Sequence, residues 1–378
     1  MTKVNNNIIE IGSLSEYIEC LNDNNLKKFI SRGENCKFKS ITASAFRYSK
    51  ALNFSEQIYQ FYNIIGNNIT DMQKDNFIAF SQHHGIPTNL VDFSESPLVS
   101  LFFACYGNKK NNKEGFVYFI DKKKLININE NLINYNILQM LLDQDPSSKS
   151  VIVQLYKYID THKSEITQFL VSFINKLKYN KDTREKYNDV FKISDELKND
   201  EFFEKNCISI LHEIINVNCD ERNVTDCILQ KDIIENYEWI VKDLSDFTQY
   251  VYFDIVLLII VVIKVVLSEL YDFSFLKKEM KEIKLPFYFS YCPPNILSRV
   301  SNQSSLFIYQ MYYDDKMPDL YIDEDKNRII QTIVPDYVVK VKNQNEILMD
   351  LDLLGINLKF IYTDYDNIAK YIVNKYIQ

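Results

Sequence analysis

The segment FSESPLVSLFFACYG, residues 93–107, constrains the fold more than any other part of this sequence. Ser96 followed by Pro97 is typical of a helix start, because serine caps the free N–H groups and proline at the first helical position loses no hydrogen bond. Gly107 is typical of the residue that follows a helix. The helix between these signals, LVSLFFACY, is apolar on nearly every face, so we expect it to be buried.

Helices and strands alternate around this predicted helix in the first third of the chain. Helical spacing of apolar residues predicts three further helices, and short apolar runs predict two strands. The helices are expected at 14–21, 53–65 and 71–80, and the strands at 27–31, ending at Arg32-Gly33, and at 115–120. Residues 1–124 are therefore predicted to have a mixed architecture.

The middle of the chain, residues 125–284, is almost free of glycine and proline, and its apolar residues are spaced three and four apart. This pattern predicts an all-helical insertion. Residues 285–378 return to mixed structure, with strands expected at 305–312, 328–334 and 358–362, a helix at 344–354 between Asn343 and Gly355, and a last helix that begins at Asp364 or Asp366. The predicted fold class is α+β, a single mixed domain formed by 1–124 and 285–378 and interrupted by the insertion.

The composition is that of a soluble globular protein, with 46% hydrophobic and 25% charged residues among 378. The formal net charge of −8 argues against stable binding to nucleic acid. Seven cysteines without a Cys-x-x-Cys pair predict free thiols in a reducing cytosol and no zinc site.

Two segments bear on the cellular location. The N-terminus, MTKVNNNIIEIGS, lacks the apolar core of a secretory signal, so we expect a cytoplasmic protein. Residues 255–267, IVLLIIVVIKVVL, are strongly apolar but shorter than the ~20 residues that span a bilayer. No membrane span is expected; the segment is interpreted as a buried helix, with membrane contact as the alternative.

The motif SRGE, residues 31–34, is the first candidate for function. The guanidinium of Arg32 can bind phosphate or carboxylate with two parallel hydrogen bonds, and Gly33 would let the backbone turn sharply beside it. The alternative is that Arg32 forms a structural ion pair with a nearby carboxylate.

The motif QHHGIPT, residues 82–88, is the second candidate for function. His83 or His84 can act as an acid, a base or a hydrogen-bond donor near neutral pH, and Gly85 with Pro87 predicts a defined turn. The alternative is that one histidine binds carbonyl groups at the end of the preceding helix.

Asp92 lies shortly before the buried helix and can hold Arg32 or a histidine in place, or accept backbone N–H groups at the helix start. We expect no metal, because Asp92 is the only ligand candidate close to the two histidines. The chain has no P-loop and no Gly-x-Gly-x-x-Gly, Gly-x-Ser-x-Gly or His-Glu-x-x-His motif, which argues against the common NTPase, Rossmann, hydrolase and zinc-protease classes.

These motifs together resemble the FRG-domain family. SQHHGIPTNLVDFSESPLVSLFFAC, residues 81–105, is similar to its central signature, Gln-His-Tyr/His-Gly-Leu-Pro-Thr-Arg-Leu-Leu-Asp-Trp-Thr followed by an apolar helix ending in Phe-Ala. ISRGE, 30–34, resembles the Phe/Tyr-Arg-Gly motif, with Ser31 in the aromatic position, and SAFR, 44–47, resembles Pro-Ser-Leu-Phe-Arg. RVSNQSSLF, 299–307, is similar to Arg-Ile-x-x-Gln-x-Gly-x-Phe, and residues 333–372 are similar to the closing block of the family.

The resemblance implies a bacterial or phage protein whose reaction is largely unassigned within its family. An Arg-Gly strand and a late polar residue on a strand are similar to ADP-ribosyltransferases, in which a first-strand Arg or His holds NAD and a late Glu or Gln polarises the ribose. By this analogy the expected catalytic residues are Arg32, His83 and Gln303, and the expected ligand-binding residues are Gly33, His84, Thr88, Asp92 and Arg299.

Three functions stay open. The first is a nucleotide-binding, ADP-ribosyltransferase-like effector that takes NAD as its cofactor. The second is a non-catalytic ligand-binding or sensing module that uses the same polar residues. The third is a nuclease or phosphodiesterase, which would need a metal-binding carboxylate cluster that is not evident near the motifs. Beyond these three, a purely structural interaction protein led by the helical insertion is the remaining alternative, and the insertion is the expected surface for a protein partner.

Overall fold

The computed structural model describes residues 7–37, 40–47, 53–107, 114–128, 130–142, single positions between 151 and 165, and 281–294, 301–314 and 328–377. The chain divides into a first unit, Met1–Asn134 with Phe287–Met311 and Ile330–Gln378, and a second unit, Tyr135–Pro286 with Tyr312–Ile329. Most of the predicted insertion, 125–284, including 255–267, lies outside the described residues, and the predicted domain boundaries stay predictions.

The first unit contains an open mixed sheet of eight described strands, in the order β1-β11-β4-β2-β3-β8-β7-β5. The outer pairs β1–β11 and β5–β7 are parallel, and the pairs between them are antiparallel. The strands are β1 (Asn7–Ile11), β2 (Phe29–Glu34), β3 (Leu90–Ser94), β4 (Gly115–Asp121), β5 (Leu125–Asn127), β7 (Tyr288–Tyr291), β8 (Ser305–Tyr309) and β11 (Tyr337–Val341).

The helices of the first unit confirm most of the sequence expectations. They are α1 (Leu14–Asp23), α2 (Phe54–Ile65), α3 (Asp71–Asp75), α4 (Phe77–His83), α5 (Pro97–Cys105), α6 (Glu130–Ile133), α8 (Gln344–Leu353), α9 (Leu358–Ile361) and α10 (Tyr365–Ile377). Several begin at a side-chain cap that relieves the unpaired N–H groups of the first turn: Ser13 accepts from Glu16 N, Asn53 from Glu56 N, and Asp364 from Asn367 N. Helices and a mixed sheet make the fold α+β.

The apolar helix α5 is buried as expected, and it packs on β2 and β4. Gly33 and Gly115 allow this contact, because a Cβ at Gly33 would lie 1.8 Å from the Ser100 carbonyl oxygen and one at Gly115 would lie 2.1 Å from the Ala104 carbonyl oxygen. Buried residues of α1 and α8 belong to the same hydrophobic core as those of α5. Because Gly33 and Gly115 have no Cβ, the backbone of α5 can lie directly against β2 and β4.

Both ends of α5 are held by hydrogen bonds. The buried Tyr17 hydroxyl donates to the Pro97 carbonyl over 3.0 Å at the first turn. At the last turn, Gln344 Nε2 donates to the Ala104 carbonyl over 2.8 Å and Asn35 Nδ2 donates to the Tyr106 carbonyl over 3.0 Å. The donors at the last turn satisfy carbonyl groups that the C-terminal end of a helix leaves without partners, whereas Tyr17 adds a second hydrogen bond to a carbonyl of the first turn.

The second unit is described over fewer residues. It includes α7 (Ile137–Leu142), β6 (Lys281–Ile283) and β9 (Tyr312–Asp314), and β10 (Arg328–Gln331) lies at the boundary between the two units. The strands form a three-stranded sheet in the order β6-β10-β9. Within this unit the Tyr158 hydroxyl donates to the Pro286 carbonyl over 3.3 Å.

The structure corrects four expectations. Residues 125–284 were expected to be all-helical, but their described ends include the strands β5 and β6, because β5 pairs with β7 in the large sheet and β6 joins the three-stranded sheet. Residues 358–362 were expected as a strand but form the short helix α9, because Asn357 caps it by accepting from Phe360 N at 3.1 Å and because Leu358 and Ile361 are both buried one turn apart. The strand expected at 27–31 is shifted to 29–34, so Arg32-Gly33 lies inside β2 and not at a turn. The helix expected at 71–80 is interrupted at Asn76, which ends α3 and begins α4.

Among the residues that the structure describes, no helix has both the length and the apolar character required to cross a membrane. The four described cysteines, Cys20, Cys36, Cys105 and Cys292, are free thiols.

Candidate functional site

A cavity of about 360 Å³ lies against the centre of the large sheet, beside β2 and β3. These two strands are neighbours, but their residues pair at a single position, Ser31 with Ser94, whereas β2 pairs with β4 along its whole length. Beyond that position, the side chain of Arg32 reaches β3 and its Nη1 donates to the Asp92 carbonyl over 2.8 Å. A side-chain hydrogen bond therefore joins the strands where the backbone ladder stops.

The residues that line the cavity are far apart in the sequence of the first unit. Aromatic and apolar side chains alternate with hydroxyl, amide and charged groups, a composition typical of a small-molecule site. The lining residues are Ser31, Arg32, Gly33, Ala79, Phe80, Gln82, His83, Asp92, Phe93, Ser94, Ser100, Phe103, Pro293, Gln303, Ser305, Phe307 and Tyr362.

Arg32 is mostly buried, with 13% of its side chain exposed, and it is paired with two carboxylates. Its Nε donates to Glu34 Oε1 over 2.9 Å, and its Nη1 lies 3.8 Å from Asp92 Oδ2. Residues 32 and 34 share a face of β2 because strand side chains alternate with a period of two. Arg32 therefore forms an ion pair with nearby carboxylates, and it is also one of the residues that line the cavity.

Asp92 presents a carboxylate that is 65% exposed at the cavity. Gln82 Nε2 donates to Asp92 Oδ1 over 2.8 Å, and the side-chain oxygen Oε1 of Gln82 accepts a short hydrogen bond from the hydroxyl of buried Thr88. Thr88 is fixed in turn, because its backbone N–H donates to Ser44 Oγ over 3.0 Å. We call Thr88, Gln82, Asp92, Arg32 and Glu34 the polar network; it holds an exposed carboxylate in a defined place.

The two adjacent histidines lie in different surroundings at the end of α4. His83 lines the cavity, whereas His84 is exposed and its ring packs on Phe80, with ring centroids 4.5 Å apart. Backbone hydrogen bonds fix the turn that follows: Gly85 N donates to the Gln82 carbonyl over 3.0 Å, and Gly85 has the positive φ of 89° that glycine adopts without strain. The turn thus directs only His83 to the cavity.

Gln303 precedes β8 and also lines the cavity. Its Nε2 donates to the Ile361 carbonyl over 3.1 Å, and its backbone carbonyl accepts from Ser94 Oγ over 2.6 Å. The next residue, Ser304, has a φ of 45°, a left-handed conformation that is uncommon for residues other than glycine. A tight turn, tied to β3 and α9, therefore positions the Gln303 carboxamide.

The interior side of the cavity carries hydroxyl groups. Ser31 is fully buried, and its Oγ donates to Ser100 Oγ of α5 over 2.9 Å. Burial raises the pKa of Tyr118, which is paired with Arg32 across β2 and β4; nearby Glu34 raises it further and Arg32 opposes the shift. Tyr118 is therefore neutral at physiological pH.

Five of the residues predicted for the site share this cavity: Arg32, Gly33, His83, Asp92 and Gln303. His84 and Thr88 do not line it, because the ring of His84 packs at an angle on Phe80 and Thr88 is fully buried and hydrogen-bonded to Gln82. Arg299 lies outside the described residues. The roles assigned to all of these residues stay predictions.

Sequence reasoning missed several residues of the wall and of its support. Gln82 lies in the quoted family signature, so its position was visible although no role was given to it. Glu34 is two residues from Arg32 on the same strand face, a spacing that predicts a pair. Phe103 and Tyr362 have no sequence signal that links them to the site.

Within the described residues, no group of three or more His, Cys, Asp or Glu side chains is arranged to hold a metal ion.

Comparison with known proteins identifies the N-terminal part of this site. Residues 27–113 match the model of the FRG domain, so the predicted family is confirmed for this region. The match covers β2 through α5 and thus contains Arg32, His83 and Asp92, whereas Gln303 lies outside it. Searches of curated proteins and of solved structures found no match to the chain.

Proposed function

We propose that the cavity of this FRG-domain protein binds NAD and that the protein is an ADP-ribosyltransferase-like effector. The observation that carries the proposal is the Asp92 carboxylate, which is exposed at a cavity that also holds His83 and Gln303. NAD is the substrate in this proposal and not a resident group.

The reaction requires an anion close to the ribose. When the bond between ribose C1′ and the nicotinamide nitrogen breaks, its electron pair leaves with nicotinamide and positive charge develops on the ribose. C1′ then bonds to an oxygen or nitrogen of the acceptor, which loses a proton. A fixed carboxylate stabilises the developing charge at low reorganisation cost. Asp92 fits this role because Gln82 holds it from one side and Arg32 lies on the other.

The other polar residues of the wall have complementary roles. Gln303 has one amide N–H bound to the Ile361 carbonyl, and its carboxamide can hydrogen-bond a ribose hydroxyl. His83 can accept the proton of the acceptor, since imidazole is the usual base near neutral pH. Phe80, Phe103 and Tyr362 offer aromatic faces on which a planar ring can pack.

A non-catalytic ligand-binding or sensing module is the second candidate. It is favoured by the existing contacts of Arg32 with Glu34 and of Gln303 with Ile361, because groups already engaged in the free protein are less available to a transition state. The two candidates share a ligand and differ in turnover.

The test is incubation of the purified full chain with NAD, with nicotinamide release followed by chromatography and NAD binding by calorimetry. Asp92→Asn should lower nicotinamide release by roughly 10²- to 10³-fold, the usual effect of removing one stabilising group. Glu95→Gln is the matched control, since Glu95 is an exposed carboxylate nearby that pairs with Lys122 and does not line the cavity. Binding without release identifies the sensing module, and the absence of both refutes the proposal.

A further inference from the structure

We infer that Glu34 is a specificity-determining residue, which neutralises Arg32 so that the cavity accepts a cationic group of its ligand and not a phosphate. The inference rests on the proposed function for the identity of the ligand, since the nicotinamide ring of NAD is a pyridinium cation. It departs from the phosphate-binding role that the sequence predicts for Arg32.

Glu34 is placed to act directly on Arg32. It is 5% exposed, its Oε1 accepts from Arg32 Nε at 2.9 Å, and its Oε2 has no hydrogen-bond partner among the described residues. Glu34 does not line the cavity. A buried carboxylate with one unpaired oxygen is costly, and its charge is screened little by solvent, so it interacts strongly with the guanidinium that it contacts.

The charges next to the cavity do not favour an anion. Arg32 supplies one positive charge, whereas Glu34 and Asp92 supply two negative charges, and the lining residues that the structure describes include no lysine or second arginine. The guanidinium also donates to the Asp92 carbonyl, so two of its donor groups are already used. A phosphate at this wall would meet a neutralised arginine and an exposed carboxylate, and it would be repelled.

The same charges favour a pyridinium ring. Asp92 attracts the ring cation directly, and the aromatic side chains Phe80, Phe103 and Tyr362 add cation–π attraction where they face it. The nicotinamide–ribose half of NAD would therefore occupy the cavity, with the diphosphate directed away from Arg32. This orientation also places the bond to be broken near Asp92.

The test compares ligands that differ in charge and little in shape. Binding of 1-methylnicotinamide, a cation without a glycosidic bond, is measured by NMR titration against neutral nicotinamide, with inorganic pyrophosphate as the anionic probe. The wild-type chain should prefer the cation by about fivefold, the effect of one partly solvated charge at close range. Equal affinities, a preference for pyrophosphate, or no binding of either ring would overturn the inference.

Charge variants separate the role of Glu34 from a purely structural one. Glu34→Gln keeps an oxygen that can accept from Arg32 Nε but removes the charge, and it should abolish the cation preference and strengthen pyrophosphate binding. The double variant Arg32→Gln/Glu34→Gln has the net charge of the wild type and should regain the preference for the cation. This double variant tests the charge argument also when Glu34→Gln alone does not fold. A double variant that folds without regaining it refutes the charge argument.

Because 1-methylnicotinamide cannot be turned over, this measurement is independent of catalysis. A cation preference without nicotinamide release from NAD would support the charge selectivity and refute the enzyme. Release from NAD without a cation preference would support the enzyme and refute the role of Glu34. Glu95→Gln serves as the control, and its cation preference should equal that of the wild type.

Discussion

Replacement of Gly33 by alanine tests the most demanding contact of the fold. The added Cβ would lie 1.8 Å from the Ser100 carbonyl oxygen, 2.7 Å from Ala104 N and 2.8 Å from the Ser100 carbonyl carbon. All three atoms belong to the backbone of α5, so no side-chain rotation can relieve the overlap. Since ordinary contact begins near 3.4 Å, the difference from 1.8 Å requires a displacement of about 1.6 Å between α5 and β2.

The cost follows from what α5 contacts. Val99, Leu101, Phe102 and Ala104 are each at most 3% exposed, so a displaced helix loses packing on several sides at once. Extra methyl groups in a packed core typically cost ~1–3 kcal/mol. Because the added methyl group of Gly33→Ala meets rigid backbone, its cost should lie at or above the upper end of this range. We expect the free energy of unfolding to fall by about 3 kcal/mol or more, which for a unit of this size lowers the melting temperature by roughly 6–12 °C.

Thermal and urea unfolding of wild type, Gly33→Ala and Gly85→Ala measure this cost. Gly85 is the control, because its φ of 89° is unfavourable for alanine whereas a Cβ there would meet no atom within 4 Å. Gly85→Ala should therefore cost about 1 kcal/mol, from backbone strain alone. If Gly33→Ala is within about 0.5 kcal/mol of wild type, or milder than Gly85→Ala, the argument that glycine admits α5 is refuted.

Two further predictions concern buried groups. Burial raises the pKa of Cys105 to about 12, from 9.0, and that of Tyr288 to about 12, from 10.0, so both lose their protons in the unfolded chain first. Below pH 9 these two groups should leave the free energy of unfolding unchanged. From pH 9 upward it should fall, by about 1.4 kcal/mol per pH unit for Cys105 alone. In Cys105→Ala the free energy of unfolding, measured with urea, should therefore depend less on pH between pH 9 and 10. Tyr291→Phe removes the donor to the buried Asn76 Oδ1 and should cost about 1–3 kcal/mol in urea unfolding, whereas Tyr59→Phe, 60% exposed, should change stability by less than ~0.5 kcal/mol.

Much of the fold was predictable where a local signal and a burial requirement agree. The apolar segment after Ser96-Pro97 could only be stable as a buried helix, and its stop at Gly107, with a φ of 88°, followed from the same local rules. The helix at 344–353 was likewise visible from its position between Asn343 and Gly355. In each case the residues that end the element are adjacent to it in sequence, so no tertiary information was needed.

Two expectations failed because the same residues are compatible with two different local structures. LKFIY, residues 358–362, can be read as a short strand or as one helical turn, and the capping of Phe360 N by Asn357 decided for the helix. For SRGE, the glycine suggested a turn, whereas its actual reason is the approach of α5, whose backbone lies where a Cβ at Gly33 would be. A glycine required by a distant element and a glycine required by its own φ look the same in a single sequence.

The charges around Arg32 could be predicted only in part from one sequence. The pairing of Arg32 with Glu34 was within reach, because a spacing of two on a strand places both side chains on one face. For Asp92 the sequence left three partners open, Arg32, a histidine or the start of the helix, and the choice of Arg32 depends on β2 and β3 pairing only at Ser31 and Ser94, which leaves the Asp92 carbonyl to the guanidinium. A register set by one backbone pair has no local sequence signal. Yet it determines whether the arginine meets one carboxylate or two, and hence whether the cavity attracts a phosphate or a pyridinium ring.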